Sequence, residues 1–224
     1  MTTNEEYIKQ LEDTLGKFLT PLKDIPFAIT IKVLSGCEVL TFDKTQAPTR
    51  DLLEQIMNAA KIAGTEANRI GIFTARPNEA GNHIEPFVKT ALTQAGLRAD
   101  TPVTKSGKRK ATGYPDIEIE LENGKAVYIE CKTYNLINVD TTQRAFYFSP
   151  SKDFKITRDA YHLLISYQLE KEDRGGRIAF VPVHCRIYTL ENLTVDLKPE
   201  FNQSNRKLYG SKSDPKALLA DFPL

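Results

Sequence analysis

The stretch from Gly113 to Lys132, GYPDIEIELENGKAVYIECK, gathers the side chains best suited to chemistry. It holds a Pro-Asp pair, alternating carboxylates and aliphatics, an Asn-Gly turn, then Glu-Cys-Lys. Successive side chains on a strand point to opposite faces. Ile117, Ile119 and Leu121 therefore share one face, and Asp116, Glu118 and Glu120 the other. On the second strand Val127, Ile129 and Cys131 oppose Ala126, Tyr128, Glu130 and Lys132. Glu130 and Lys132 project together, roughly 7 Å apart along the strand. A two-residue Asn123-Gly124 loop would pair Asp116 with Cys131 and mix acidic with apolar side chains on one face, against the binary pattern. A three-residue loop, Glu122-Asn123-Gly124, puts Gly at the left-handed third position. It pairs Ile117 with Ile129 and sets Asp116 opposite Glu130. Carboxylates facing each other across a strand pair repel unless a cation lies between them. Lys132 is that cation in a plain salt-bridge cluster. A hard divalent ion such as Mg2+ is the other candidate, since it is held by one or two carboxylates together with water and substrate phosphate. The residues alone leave both readings open.

Around this hairpin the patterning predicts a mixed set of elements. Residues 4–19 form an amphipathic helix with Tyr7, Leu11, Leu15 and Phe18 on one stripe. FAITIKVL and EVLTF, either side of Ser35-Gly36, suggest a hairpin, and PTRDLLEQIMNAAKIAG a second helix ending at Gly64. Another helix spans about Gly81 to Ala95, followed by a basic loop to Tyr114. AYHLLISYQLE and RIAFVPVHCRIYTL read as long strands split by Asp173-Arg174-Gly175-Gly176. The fold class is α/β (α+β), a central mixed β-sheet flanked by helices. The chain is expected to be a single domain over residues 1–224, with residues 1–70 as an N-terminal helical/hairpin lobe of unassigned role.

Composition narrows the classes. The chain has 224 residues, enough for a sizeable core, with 41% hydrophobic and 26% charged residues. A formal net charge of +1 means that any polyanion must be bound by local patches. Cys37, Cys131 and Cys185 lie far apart without metal-ligand spacing, which points to a reducing cytoplasm rather than a disulfide scaffold. The polar, acidic N-terminus is not a signal peptide, and no apolar run is long enough for a membrane span.

Pro115-Asp116, thirteen residues, then Glu130-Cys131-Lys132 resembles the signature of the PD-(D/E)xK nuclease superfamily. The upstream segment RPNEAGNHIEPFVKTALTQAGL resembles the helix that precedes the Pro-Asp in many type II restriction endonucleases, where a similar stretch supplies a further acid. On a helical wheel Glu85 borders the apolar arc of Ile84, Phe87, Val88, Ala91, Leu92 and Ala95, whereas Glu79 points away. Glu85 is the preferred helix acid and Glu79 the alternative. Asn82 to Glu85 also fits a capping box, with Pro86 near a helix start.

The resemblance implies a restriction-endonuclease-like core over residues 71–224 and Mg2+ as cofactor. It makes Asp116 and Glu130 metal ligands, joined by the Cys131 backbone carbonyl. It gives Lys132 the attacking water and Glu85 a supporting role at the metal. Lys105, Lys108, Arg109 and Lys110 in the basic loop, with Lys155 and Arg158 further on, become candidates for phosphate contact. Asn202, Asn205 and Arg206 are further candidates. The implied function is Mg2+-dependent type II cleavage of double-stranded DNA at a short specific site by a homodimer, leaving 5′-phosphate and 3′-hydroxyl ends. A structure-selective repair nuclease with the same core, or a non-catalytic DNA-binding module, is the alternative.

Overall fold

The computed structural model describes residues 4–74, 79–122, 124–138 and 151–197. Its chain divides into two units, residues 26–194 and a smaller one of residues 1–25 with 195–224. In the smaller unit, helix α1 (Asn4–Leu19) has no buried residue, and strand β1 (Leu22–Pro26) pairs with β7 (Thr194–Leu197).

The larger unit is built on a five-stranded sheet in the order β2 (Arg98–Asp100), β3 (Ile117–Glu120), β4 (Ala126–Tyr134), β5 (Ala160–Asp173), β6 (Ile178–Thr189). All neighbours are antiparallel except β4 and β5, which run parallel. This is the mixed sheet flanked by helices expected from the sequence. The β3–β4 register pairs Ile117 with Ile129 and Glu120 with Ala126. Leu121 N–H donates to the Lys125 carbonyl, closing the hairpin there, and Gly124 has φ +75°. Turn chemistry and hydrophobic pattern thus agree on one register.

Helix α3 (Ala47–Ile70) and helix α4 (Ala80–Gln94) bury Ile56, Ala59, Ala60, Ala63, Ile84, Val88 and Leu92 against Ile117, Ile119, Val127, Ile129, Cys131, Leu163 and Ile165. Each fully buried Ile, Leu or Val contributes about 1.5–3 kcal/mol. Residues 26–70, expected within an N-terminal lobe, therefore belong to the larger unit and supply part of its core.

Two local expectations are corrected. FAITIKVLS is not a strand but helix α2 (Phe27–Ser35). Phe27 and Ile31, four apart, are buried, while Ile29 and Val33 are exposed, so burial follows the helical period despite the β-branched residues. Gly36 ends the helix with φ +78°, its N–H on the Lys32 carbonyl. Of EVLTF, Val39 makes only an isolated parallel bridge to Ala160. The second helix, in turn, does not stop at Gly64 but continues to Ile70 and is capped by Gly71. Gly64 serves packing instead: a Cβ there would lie 2.8 Å from a ring carbon of Tyr167. That ring is buried and cannot readily retreat, because its hydroxyl donates to the Ala60 carbonyl at 2.7 Å. Gly64→Ala should lower stability by about 1–2 kcal/mol, overpacking outweighing the roughly 1 kcal/mol gained in helix propensity. Urea denaturation with an unchanged slope would show it.

Candidate active site

The site forms where β4, the turn before β3 and the start of α4 meet. Continuing the β3–β4 register by one residue brings Asp116 opposite Glu130. Asp116 N–H donates to the Ile129 carbonyl at 3.1 Å, and its Oδ2 accepts the Cys131 N–H at 2.9 Å. Glu130, 3% exposed, and Lys132 lie two residues apart on β4, and the Lys132 ammonium donates to Glu130 Oε1. Alternation sends Cys131 the other way, into the hydrophobic core.

Helix α4 delivers the third carboxylate. It begins at Ala80, so Glu79 is the residue before the helix and no side chain caps it; the Asn82–Glu85 capping box is not formed. Pro86 lies inside the helix, where it removes the amide that would otherwise bond the Asn82 carbonyl. Gly81 faces Thr133 of β4, where a Cβ would make an ordinary contact with Thr133 Oγ1 at 3.5 Å. One turn on, half-buried Glu85 enters the field of Asp116, Lys132 and Lys155.

Electrostatics mark the three carboxylates as a group. Burial, then repulsion from Asp116, raises Glu130 to about 7. Burial likewise raises Asp116, and burial with repulsion from Asp116 raises Glu85. Burial works against the Lys132 ammonium, but Glu130 and then Asp116 hold its pKa above the ordinary value. The Cys131 thiol is pushed well up by burial, so it is no nucleophile.

A hard cation fits this donor set. Glu130 Oε2 is buried without a hydrogen-bond partner among the described residues. Such an oxygen, in the field of a second, partly buried carboxylate, calls for positive charge. No three His, Cys, Asp or Glu side chains form a ready metal cage among the described residues. A hard divalent cation needs only one or two protein carboxylates, with waters and substrate phosphate completing its shell.

The predicted phosphate-contacting residues divide. Lys105, Lys108 and Lys110 are exposed on the basic loop, with Lys105 over the Phe154 ring. Arg109 pairs with Asp100 at 2.6 Å and donates to the Thr101 carbonyl at 3.0 Å. Arg158 lies between Glu118 at 3.3 Å and Glu120 at 3.7 Å, which accounts for those two strand carboxylates outside the site. Lys155, expected to face phosphate, is instead buried, with its ammonium on the carbonyls of Gly113 and Pro115. Residues 202, 205 and 206 lie outside the described residues.

Sequence reasoning missed the aromatic layer behind the turn. His162 Nδ1 and the Tyr114 hydroxyl are 2.6 Å apart, their rings stack at 5.9 Å, and Phe27 packs edge-on to His162 at 5.5 Å. Burial lowers His162 to about 3, so it stays neutral. No sequence signal marked it, because alternation along β5 sets His162 on the face of Ser166 and Gln168, opposite Leu163 and Ile165 of the core.

Comparison with known proteins puts the chain among the type II restriction endonucleases. A family model, that of the Type II restriction enzyme MjaV family, matches residues 21–212. The chain belongs to that family. It is 38% identical over 221 residues to the Type II restriction enzyme MjaV of Methanocaldococcus jannaschii, an alignment covering 92% of this chain and 94% of that protein. No solved structure gives a significant match.

Proposed function

We propose that this restriction endonuclease uses Mg2+ and the cluster of Asp116, Glu130, Lys132 and Glu85 to hydrolyse double-stranded DNA at a short site. Family membership favours restriction over the repair-nuclease and non-catalytic alternatives. The observation that carries the residue assignment is the buried, partnerless Glu130 Oε2 beside Asp116 and Lys132.

Asp116 and Glu130 would hold the ion, with the Cys131 carbonyl and Glu85 as further oxygen donors. When bound, it polarises the scissile phosphate and makes water a better nucleophile. Lys132 orients the attacking water and offsets charge growing on the phosphoryl oxygens; raised by Glu130 and Asp116, its ammonium acts as donor and charge. Attack at phosphorus expels the 3′-oxygen, leaving 5′-phosphate and 3′-hydroxyl ends. Exposed Lys105, Lys108 and Lys110 contact backbone phosphates, and Arg109 and Arg158 join them by exchanging carboxylate for phosphate.

We further read the active form as a homodimer on a palindromic site, because protein and DNA twofold axes then coincide. The whole chain serves as one nuclease domain. Its three cysteines are free thiols, and no helix among the described residues is long and apolar enough to cross a membrane, which together favour the cytoplasm. Digestion of phage DNA tests the function: discrete fragments are expected with Mg2+ and none with EDTA. A Mg2+-independent ladder, or preferential cutting of branched substrates, would overturn it.

A further inference from the structure

Lys155 is 2% exposed, yet carries an ammonium with no carboxylate within ion-pair distance among the described residues. A buried charge must be hydrogen-bonded to persist. Its Nζ donates to the Gly113 carbonyl at 2.6 Å and the Pro115 carbonyl at 2.7 Å. These carbonyls flank Tyr114, and the second belongs to the residue just before Asp116. The segment bearing Lys155 is itself tied down on two sides. Asp153 accepts both the N–H and the hydroxyl of Ser106 at 2.9 Å, and the Phe154 carbonyl accepts the Lys105 N–H at 2.9 Å. On the other side Thr157 N–H donates to the Tyr128 hydroxyl oxygen on β4 at 3.1 Å.

We propose that Lys155 is a positioning residue for the nuclease site, holding the Gly113 and Pro115 carbonyls so that the turn presents Asp116 to Glu130. The inference rests on reading Asp116 and Glu130 as the ion ligands. Lys155 touches neither carboxylate and is spent on peptide oxygens, so its work is done through Asp116. This role predicts an effect of distinctive sign. Removing a nearby positive charge would by itself tighten cation binding. Losing the turn that aims a ligand weakens it.

The test measures Mn2+ binding to the full chain, without DNA, from the electron paramagnetic resonance signal of free ion. Lys155→Met should weaken Mn2+ binding about tenfold, within the range seen when a ligand's supporting partner is removed. Single-turnover cleavage at saturating DNA should fall about 10–100-fold, with DNA affinity in Ca2+ kept within about twofold. Lys155→Arg should recover part of both losses. Should the Met variant not fold by circular dichroism, Lys155→Gln, which keeps an amide donor, carries the same expectations. Unchanged or tighter Mn2+ binding overturns the proposal. So does a tenfold loss of DNA affinity, which would make Lys155 a phosphate contact. Asp116→Asn separates the two levels. If it leaves Mn2+ binding intact, the ion-site reading fails and the proposal with it. If it abolishes binding while Lys155→Met does not, the proposal alone fails.

Discussion

Lys132→Ala should reduce Mg2+-supported cleavage by about 10³-fold while DNA affinity in Ca2+ changes little. A factor of that size corresponds to about 4 kcal/mol of transition-state stabilisation. Loss of the pairing with buried Glu130 is a cost in stability, read in a melt and not in the cleavage rate of the folded protein. The two readings of the hairpin therefore separate cleanly. If Lys132 merely neutralises Glu130, its loss costs some stability and the variant still cuts. If it serves the reacting phosphate, the variant remains folded, binds DNA and does not cut. Its side chain is partly exposed and lies outside the hydrophobic core, so alanine opens no core cavity and the folded outcome is the expected one. Single-turnover cleavage, with fluorescence anisotropy for binding, provides both readouts, and Mg2+-dependent cutting by the variant would refute the assignment.

Glu130→Gln should abolish cleavage and, in the metal-free protein, raise stability at pH 8. The folded value of about 7 lies above the ordinary 4.5, so the folded state holds this proton more tightly than the unfolded one. The contribution is fully present below about pH 4.5 and is lost as pH rises through about 7. Asp116 and Glu85 are raised as well and act in the same direction. Metal-free protein should accordingly lose stability from about pH 5 to pH 8, and Mg2+ should restore it by occupying the charged form. Glutamine keeps the shape without the charge. The value of about 7 already includes the pairing with Lys132, so the gain at pH 8 is on the order of 3 kcal/mol, or roughly 6–12 °C in Tm for a chain of this size. Thermal melts in EDTA at pH 5 and pH 8 would show it. A melting point lowered at both pH values would mean that Glu130 is a structural acid already satisfied by Lys132.

The hairpin was legible because two independent rules, turn chemistry and the two-residue period, allowed a single register. That register carried Asp116, Glu130, Lys132 and the inward Cys131 into place together. Glu85 was legible from its position beside an apolar arc, although the helix around it begins earlier than Pro86 suggested. Where local preference competed with packing, the sequence misled. FAITIKVL has β-branched residues at alternate positions, yet pairing Phe27 with Ile31 on one helical face buries two large side chains at once. Gly64 resembles a helix stop but is a contact with Tyr167, 103 positions further along the chain. Lys155 carried no local sign of burial. A lysine in a polar stretch reads as solvated, and only the three-dimensional approach of the Gly113–Pro115 turn supplies its partners.

The bond from Cys131 N–H to Asp116 Oδ2 has a bearing on isotope exchange. Strand β4 lies third of five, and amides bonded to neighbouring backbones there trade hydrogen for deuterium mainly when larger parts of the fold open. The Cys131 amide is guarded by a side chain instead. It becomes exchangeable whenever that carboxylate swings aside, so its rate in heavy water counts the excursions of Asp116 in an otherwise closed sheet.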